Sequence, residues 1–428
     1  MINRRDFLGI SAGAGAAMTL TPRLLHALQH SSASLIQRAI PSSGEMLPVI
    51  SYGPRQTDGA AMKEVLRTLA ENGGKVVDVL HGGPEGEKAA RAAAAELGMQ
   101  NRFFWTTPLS VFIPTLPGYN GPPLKPDAGA IRAGLEEKLA AFNVKKIDLV
   151  MIGTGDNVQS HLDVVKVLKK EGLVRYIGVH HLAFPPGAPM PTFGNLESLM
   201  RNEPIDFIGT DYSLADRRLE ETLLPLAQER KIGVMAYFPF DRRRIFDRAS
   251  STPLPEWAAE FEARTWAQFF LKYVVSNPAV TVVRTGTTKA AHMLDNIGGG
   301  IGKLPNEAMR KRMAALVDTF PPNPPPKPLP QPAPPKGSAP VVVAAAVMDR
   351  YVGDYKYPVT GQVASIRRNG DRLLMKIQNM PEVPLETLSE TRFLGPWEMV
   401  FAFQPDAQGN VSRLTVEQGP NRMLLDRM

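Results

Sequence analysis

The chain has 428 residues, of which 43% are hydrophobic and 21% charged, and its 49 Lys and Arg against 42 Asp and Glu give a formal charge of +7. This balance excludes a mainly disordered chain, and the basic residues, apart from a group at 242–244, are too scattered for a nucleic-acid surface. There is no cysteine, which excludes disulfides and thiolate metal sites.

The first predicted element is an export signal. Arg4 and Arg5 precede a Phe-Leu pair, and a weakly apolar stretch rich in Ala and Gly runs over residues 10–20. This pattern is typical of twin-arginine signals, so we assign residues 1–34 to a signal and expect a periplasmic or otherwise exported protein. The stretch is shorter than the ~20 apolar residues that span a bilayer, and no later segment is better, so we expect no integral membrane segment in the mature chain.

Short apolar runs then alternate with helical stretches. The predicted strands include residues 75–80, 102–107, 146–153, 174–180, 205–213, 232–240 and 279–286. The predicted helices include residues 87–98, 131–142, 162–172, 219–231 and 266–276. Continuous apolar strands between amphipathic helices indicate parallel β/α units, because strands covered on both faces lose their polar alternation. We therefore expect an α/β fold, a (β/α)8 TIM barrel over residues 35–320, with its functional groups at the carboxyl ends of the strands.

Two further segments follow this barrel. Residues 321–340 hold eleven prolines in twenty positions, which predicts an extended polyproline II linker. Residues 341–428 show alternating strand patterns with turn residues at Asn369, Gly370 and 406–410. They are predicted to form a small antiparallel β domain.

Five segments of the barrel region carry a family resemblance. They are AIPSSGEMLPVISYG at 39–53, GLVRYIGVHH at 172–181, and the stretches at 210–234, 266–283 and 285–300. In this order and spacing, residues 40–304 resemble the aldo/keto reductases, which transfer hydride between a nicotinamide dinucleotide and a carbonyl. The resemblance implies NADP or NAD as the cofactor and a small molecule as the substrate.

In that family a tyrosine supplies the proton, a lysine paired with an aspartate tunes the tyrosine, and a histidine assists. The resemblance places the aspartate at Asp78. The family's tyrosine, lysine, histidine and a glutamine fall, in that order, on Gly83, on Thr107 or Pro108, on Gly153 and on Gly209. Glycine in place of bulky polar groups predicts an enlarged cavity, and general acid catalysis, worth ~10² to 10⁴-fold, would need another donor.

The cofactor side of the resemblance is better preserved. Tyr237 stands where the family stacks an aromatic ring on the nicotinamide. The other residues assigned to the cofactor are His180, Gly286, Thr287, Thr288, Lys289 and Asn296. Where the family has glycines after the seventh strand, this chain has Asp241 and the arginines at 242–244, which either clamp a phosphate or form a solvated loop.

Further polar groups are predicted at the barrel mouth. Besides Asp78, the candidates at strand ends are His81, His180, His181, Asp211 and Tyr212. Carboxyl ends of neighbouring parallel strands meet at one rim, so these side chains could converge. We take Asp78, His81 and His181 as candidate catalytic residues. Two histidines and a carboxylate also suit a metal ion, but no fixed ligand spacing is present and no metal site is assigned.

Three functions follow from this pattern. The preferred one is an exported, NADP- or NAD-dependent oxidoreductase for a carbonyl or sugar-like substrate, with His81 or His181 replacing the missing acid. The alternatives are a metal- or histidine-dependent lyase or isomerase on the same barrel, and a noncatalytic ligand-binding protein. The sequence leaves the substrate, the choice of dinucleotide and the oligomeric state open.

Overall fold

A computed structural model describes residues 34–54, 59–109, 116–117, 124–155, 157–182, 193–322, 342–377, 381–396, 399–418 and 421–428. The predicted signal lies outside these residues except for Ser34, as does the predicted linker except for residues 321 and 322. Among the described residues, no helix has both the length and the apolar character needed to cross a membrane.

A hairpin precedes the barrel. Strand β1 (Gln37–Ala39) pairs antiparallel with β2 (Met46–Pro48). Ile40 and Leu47 are fully buried in the same apolar cluster as the barrel's interior side chains. Glu45, at the tip of the hairpin, accepts a hydrogen bond of 2.8 Å from the hydroxyl of Tyr176 near the start of a barrel strand. The hairpin therefore closes the amino-terminal end of the barrel and leaves the carboxyl end as its mouth.

Eight parallel strands form the barrel. In chain order they are β3 (Ile50–Tyr52), β4 (Val76–Asp78), β5 (Phe104–Pro108), β6 (Ile147–Gly153), β7 (Val174–His181), β8 (Phe207–Asp211), β9 (Gly233–Tyr237) and β10 (Val280–Thr285). Each strand pairs with its neighbour in sequence, and β10 closes the barrel against β3. The predicted (β/α)8 barrel is confirmed.

In the described part of the barrel region, helices lie between the strands and after β10. They are α1 (Gly59–Glu71), α2 (Gly83–Glu96), α3 (Ala128–Ala141), α4 (Val158–Lys170), α5 (Gly194–Asn202), α6 (Leu223–Glu229), α7 (Arg244–Ala249), α8 (Trp266–Ser276), α9 (Ala290–Gly298) and α10 (Glu307–Asp318). Helix α8 shows why such segments are helical: the Thr265 side chain caps it by accepting a 3.1 Å hydrogen bond from the Gln268 amide, and its apolar face buries Phe269 and Phe270.

The interior of the barrel is filled by alternate residues of the strands. The buried apolar residues on this inner face are Val76, Phe104, Leu149, Met151, Tyr176, Phe207, Met235, Tyr237 and Val282. Side chains alternate between the two faces of a strand, and residues paired across neighbouring strands point to the same face. Strand register therefore decides which strand-end residues reach the mouth.

The second unit is built on a nine-stranded antiparallel sheet, as predicted for the C-terminal region. It comprises α11 (Ala345–Tyr351), β11 (Gly353–Lys356), β12 (Val363–Asn369), β13 (Arg372–Ile377), β14 (Val383–Pro384), β15 (Glu386–Thr387), β16 (Arg392–Leu394), β17 (Val400–Pro405), β18 (Val411–Gln418) and β19 (Asn421–Arg427). The order across the sheet is β14-β13-β12-β11-β19-β18-β17-β16-β15.

One short segment from the middle of the chain belongs to this second unit. Leu116 is fully buried in its apolar core. The buried Gln362 side chain accepts a 2.9 Å hydrogen bond from the Leu116 amide and donates bonds of 2.8 and 3.3 Å to the carbonyls of Leu116 and Pro117. The glutamine side-chain amide thus pairs with the buried N–H and C=O groups of Leu116, as the backbone of a neighbouring strand would.

Candidate active site

Five polar side chains gather on the inner face at the carboxyl end of the barrel. They are Asp78 of β4, His180 of β7, Asp211 of β8, Tyr237 of β9 and Arg284 of β10. The register supports this placement, because His180 pairs with Gly153 and Gly209, and Asp211 pairs with Tyr237. Parallel strands thus deliver titratable groups from five positions in the chain to one rim.

Asp78 is the centre of this cluster. Its carboxylate is fully buried and accepts a 2.5 Å hydrogen bond from the Tyr237 hydroxyl and a 2.8 Å bond from the Leu80 amide. The Arg284 guanidinium lies 3.6 Å away, measured from its Nε to Asp78 Oδ1. A buried carboxylate is stable only when it is paired and hydrogen-bonded, and these three neighbours provide both.

Arg284 was not among the residues identified from the sequence. Its side chain is 3% exposed, and its guanidinium lies against Gly53, where a Cβ would come within 2.1 Å of the guanidinium carbon. A sequence signal existed, because Arg284 is the one charged residue in the predicted strand at 279–286. Burying a charge in a strand covered on both faces is costly, which marks such a residue as functional or ion-paired.

Tyr237 lies across the barrel interior rather than along its wall. It is fully buried, and a Cβ on Gly209 would come within 2.4 Å of its ring. Burial, reinforced by the charge of Asp78, raises the pKa of Tyr237 well above its usual value, while Arg284 opposes the rise. The phenol therefore keeps its proton at neutral pH.

His180 lies beside the other glycine position, Gly153, but packs against it less tightly. Its imidazole lies where a Cβ on Gly153 would approach Cε1 at 3.3 Å. Burial, with a smaller contribution from His181, lowers the pKa of His180 to about 4, so the ring is neutral at neutral pH. The expected enlarged cavity is thus wrong at Gly209, because the Tyr237 ring occupies the space that a side chain there would take.

Two of the predicted mouth residues point away from the interior. His181 is buried with its Nδ1 2.6 Å from the Thr154 hydroxyl, and its ring faces Phe193. Tyr212 donates a 2.6 Å hydrogen bond to Glu220. The prediction that their side chains converge at the mouth was therefore wrong for both. His181 and Tyr212 directly follow the inward-facing His180 and Asp211, and side chains alternate between the two faces of a strand.

His81 lies at the mouth, just beyond β4. Its ring centroid is 5.4 Å from that of Tyr237 and 5.1 Å from that of Phe238, although the residue as a whole is exposed. It therefore separates the Tyr237 ring from the solvent side.

Neither Thr107 nor Pro108, the two residues predicted for the family's lysine position, is a cation. Thr107 points outward and accepts a 2.9 Å hydrogen bond from Arg91. Pro108 pairs with Met151 and so shares the inner face with it. The positive charge beside Asp78 comes instead from Arg284, on the other side of that aspartate.

Two of the arginines in the loop after β9 are held by ion pairs and a ring contact, so this loop is not a simple solvated one. Arg242 pairs with Asp211 at 2.5 Å and packs its guanidinium 3.9 Å from the centroid of the Phe238 ring. Burial raises the pKa of Asp211, while Arg242 opposes the rise. Phe238, Asp241, Arg242 and Arg243 have left-handed φ of 50°, 46°, 53° and 77°. Left-handed non-glycine residues are strained and gather at functional sites.

The segment assigned to the cofactor's phosphates forms the turn between β10 and α9. Gly286, Thr288 and Lys289 are exposed, and Thr287 accepts a 3.0 Å hydrogen bond from the Lys289 amide. An exposed lysine and backbone amides at the start of a helix suit a phosphate. Asn296 lies in α9 with 4% exposure. Among the described residues, no three His, Asp or Glu side chains are grouped as metal ligands.

Comparisons with known proteins agree with the barrel and the predicted signal. Residues 54–315 match the sequence profile of the aldo/keto reductase family, and residues 1–21 match that of the twin-arginine translocation signal, which indicates export by that route. Residues 339–426 match a domain family of unknown function.

Similar individual proteins belong to the same group. An uncharacterized oxidoreductase, YqkF, of Bacillus subtilis is 27% identical over 195 residues, which is 40% of this chain and 60% of that protein. Probable aldo-keto reductase 1 of Glycine max is 26% identical over 215 residues, 44% of this chain. The matches span 60% of each of these two relatives.

Two solved structures share the fold. The holo form of aldo-keto reductase AKR11C1 from Bacillus halodurans gives a TM-score of 0.52 at 21% identity, covering 66% of this chain and 96% of that one. An aldo-keto reductase from Klebsiella pneumoniae in complex with NADPH gives 0.50 at 17% identity, with the same coverage.

Proposed function

The chain belongs to the aldo/keto reductase family, and on that premise we propose that it is an oxidoreductase that uses NADP or NAD and acts on a carbonyl or sugar-like small molecule. We further propose the periplasm as its place of action, given the twin-arginine signal. Cell fractionation tests the location, and a mature chain retained in the cytoplasm would contradict it.

One observation carries the proposal. Asp78, at the position predicted for the family's aspartate, accepts a 2.5 Å hydrogen bond from the Tyr237 hydroxyl and has the Arg284 guanidinium 3.6 Å away, although neither residue is at the position predicted for the family's tyrosine or lysine. The His180 ring lies against Gly153, the position predicted for the family's histidine. The four kinds of group that the family uses are therefore together at this mouth.

The groups suggest their own roles in carbonyl reduction. Tyr237 is the proton donor: its raised pKa keeps the proton at neutral pH, yet an alkoxide is far more basic and takes it when the hydroxyl turns from Asp78 to the substrate oxygen. Arg284 stabilises the phenolate that remains. His180, a neutral ring, orients the carbonyl oxygen by donating a hydrogen bond.

The residues present fit the phosphates of a nicotinamide dinucleotide better than its nicotinamide ring. Gly286 and Lys289, both exposed, would hold its phosphates, and when bound it supplies the hydride. The Tyr237 ring is fully buried, so His81 must move aside before a second ring can stack on it. His181 is proposed as a positioning residue, because its hydrogen bond to Thr154 fixes the end of β7.

A pair of tyrosine variants tests the proposal. Oxidation of NADPH or NADH is followed with a panel of aldehydes, ketones and sugars, for the wild type, Tyr237→Phe and Tyr212→Phe. Both tyrosines are fully buried and each donates its hydroxyl to one carboxylate, but only Tyr237 faces the mouth. Tyr237→Phe should lower kcat by ~10² to 10⁴-fold and Tyr212→Phe should not. Full turnover in Tyr237→Phe would remove the proposed proton donor.

A noncatalytic ligand-binding protein is the second candidate. It is favoured by the complete burial of Tyr237 and by the commitment of its hydroxyl to Asp78. Dinucleotide or sugar binding without turnover of any panel member would support this candidate over the oxidoreductase.

A further inference from the structure

Arg284 has hydrogen-bonding capacity that its surroundings do not use. Its side chain is 97% buried at the carboxyl end of β10, on the inner face of the barrel. Within the part of the chain that the structure describes, neither Nε nor Nη2 has a hydrogen-bond partner. Buried donors are almost always paired in native proteins, so two unused donors on one guanidinium indicate a ligand-binding group.

Asp78 does not consume these donors. Its oxygens already accept hydrogen bonds from Tyr237 and the Leu80 amide, and its 3.6 Å separation from Arg284 Nε exceeds a hydrogen bond. Nε and Nη2 form one edge of the guanidinium, and that edge binds the two oxygens of a carboxylate side by side. Asp78 thus holds the Arg284 charge in place while the edge remains suited to an incoming oxygen pair.

Two more inner-face groups are unsatisfied. His180 Nδ1 and Asp211 Oδ1 have no hydrogen-bond partner among the residues described here. A carboxylate oxygen only accepts, so Asp211 requires a donor such as a hydroxyl, and a neutral imidazole nitrogen pairs with a hydroxyl in either sense. The charges also balance, because Arg284 and Arg242 offset Asp78 and Asp211. An anion entering this site therefore meets no net negative charge.

We propose that the barrel mouth binds a hydroxylated carboxylate of the sugar-acid class, with its carboxylate on the Nε–Nη2 edge of Arg284, a hydroxyl group on Asp211, and on His180 the oxygen that is a carbonyl in the substrate and a hydroxyl in the product. This inference deepens the proposed function, on which it rests, because the sugar acid would be the small-molecule substrate of the same site. Arg284 would then decide specificity for the anionic group, in addition to its place beside Asp78.

Calorimetric binding to the full chain, without any dinucleotide, tests this specificity. The sugar-acid probes are glucuronate, galacturonate and gluconate. Glucose keeps the hydroxyl groups without the carboxylate, and cyclohexanecarboxylate keeps the carboxylate without the hydroxyl groups. We expect at least one sugar acid to bind at least ~10-fold more tightly than either control, since charge-assisted hydrogen bonds provide the difference.

A variant pair assigns the effect to the guanidinium edge. Arg284→Lys retains the charge but loses the paired donors, and should weaken sugar-acid binding by ~10 to 100-fold while glucose binding stays unchanged. Arg102→Ala removes an exposed arginine of the barrel unit and should change neither. The wild-type comparison among the probes stands even if Arg284→Lys fails to fold.

The outcomes separate this inference from the proposed function. Glucose binding as tight as that of the sugar acids, wild-type affinity in Arg284→Lys, or failure of all three sugar acids to bind overturns the inference. Reduction of neutral sugars with a dinucleotide, and with no preference for sugar acids, would leave the proposed function standing without this inference. Arg284-dependent sugar-acid binding in a chain that never uses a dinucleotide would support the inference and contradict the proposed oxidoreductase.

Discussion

Gly209→Ala should displace the Tyr237 ring from the centre of the barrel. The new Cβ would lie 2.4 Å from Tyr237 Cε2 and 2.8 Å from Met151 Cε, closer than van der Waals contact permits. Overpacking of this kind costs ~1 to 3 kcal/mol and outweighs the ~0.4 to 1 kcal/mol that replacing glycine contributes through the unfolded chain. Gly153→Ala is the matched control, since its Cβ meets His180 at 3.3 Å and the two effects should nearly cancel.

Thermal unfolding followed by tryptophan fluorescence measures the difference in the barrel, where three of the four tryptophans, Trp105, Trp257 and Trp266, lie. With the glycine gain subtracted, the net cost is up to ~2.6 kcal/mol, so Gly209→Ala should lower the Tm by up to ~10 °C, at ~2 to 4 °C per kcal/mol for a domain of this size. In a Tyr237→Leu background, the loss of unfolding free energy caused by Gly209→Ala should be smaller by at least ~1 kcal/mol, because the clashing ring is gone. Equal Tm values for the two alanine variants, or an unchanged cost in that background, would refute this account of Gly209.

Two further predictions follow from buried polar groups. Burial lowers the pKa of His180 to about 4, so between about pH 4 and 6.5 the unfolded chain binds more protons than the folded one. Acidification through this window should therefore lower the free energy of unfolding of the wild type by ~1 to 3 kcal/mol more than that of His180→Gln, as measured by urea unfolding at each pH. The same loss in both proteins would contradict the neutral buried ring. In the second unit, Gln362→Ala leaves the Leu116 amide and carbonyl unpaired and should cost ~2 to 4 kcal/mol, seen as faster hydrogen exchange in β12 and β13. Gln404→Ala, at an exposed strand position, is its control, and equal exchange in both variants would show that the Gln362 bonds contribute nothing.

The barrel could be predicted from the sequence because its signals are local and repeated. Apolar runs such as residues 146–153 and 174–180 are strands in the structure, and the helix predicted at residues 266–276 has the same bounds as α8. The alternation after residue 341 similarly predicted antiparallel pairing, with the turn at Gly370 joining β12 to β13. Fold class follows from such periodicity without knowledge of individual contacts.

The site was harder to predict because it depends on which face each residue takes. Asp78 and Tyr237 were identified through the family's positions, but their hydrogen bond joins residues 159 apart in the chain. His180 and His181 were adjacent candidates, and register alone separates the inward ring from the outward one. Arg284 was missed because no family position suggests a cation there, although a lone charge in an apolar strand was a usable sign.

The central claim is that the mouth around Asp78 serves a nicotinamide-dependent oxidoreductase, and dinucleotide binding tests it most directly. The purified, folded chain is first checked for cofactor carried through purification and then titrated with NADPH and NADH in a calorimeter. The Kd should be near the micromolar range, which corresponds to a binding free energy of about −8 kcal/mol. Lys289→Ala should weaken that binding and Arg102→Ala should not, since both lysine and arginine are exposed but only Lys289 adjoins Gly286. Failure of a well-folded chain to bind either dinucleotide would contradict the account.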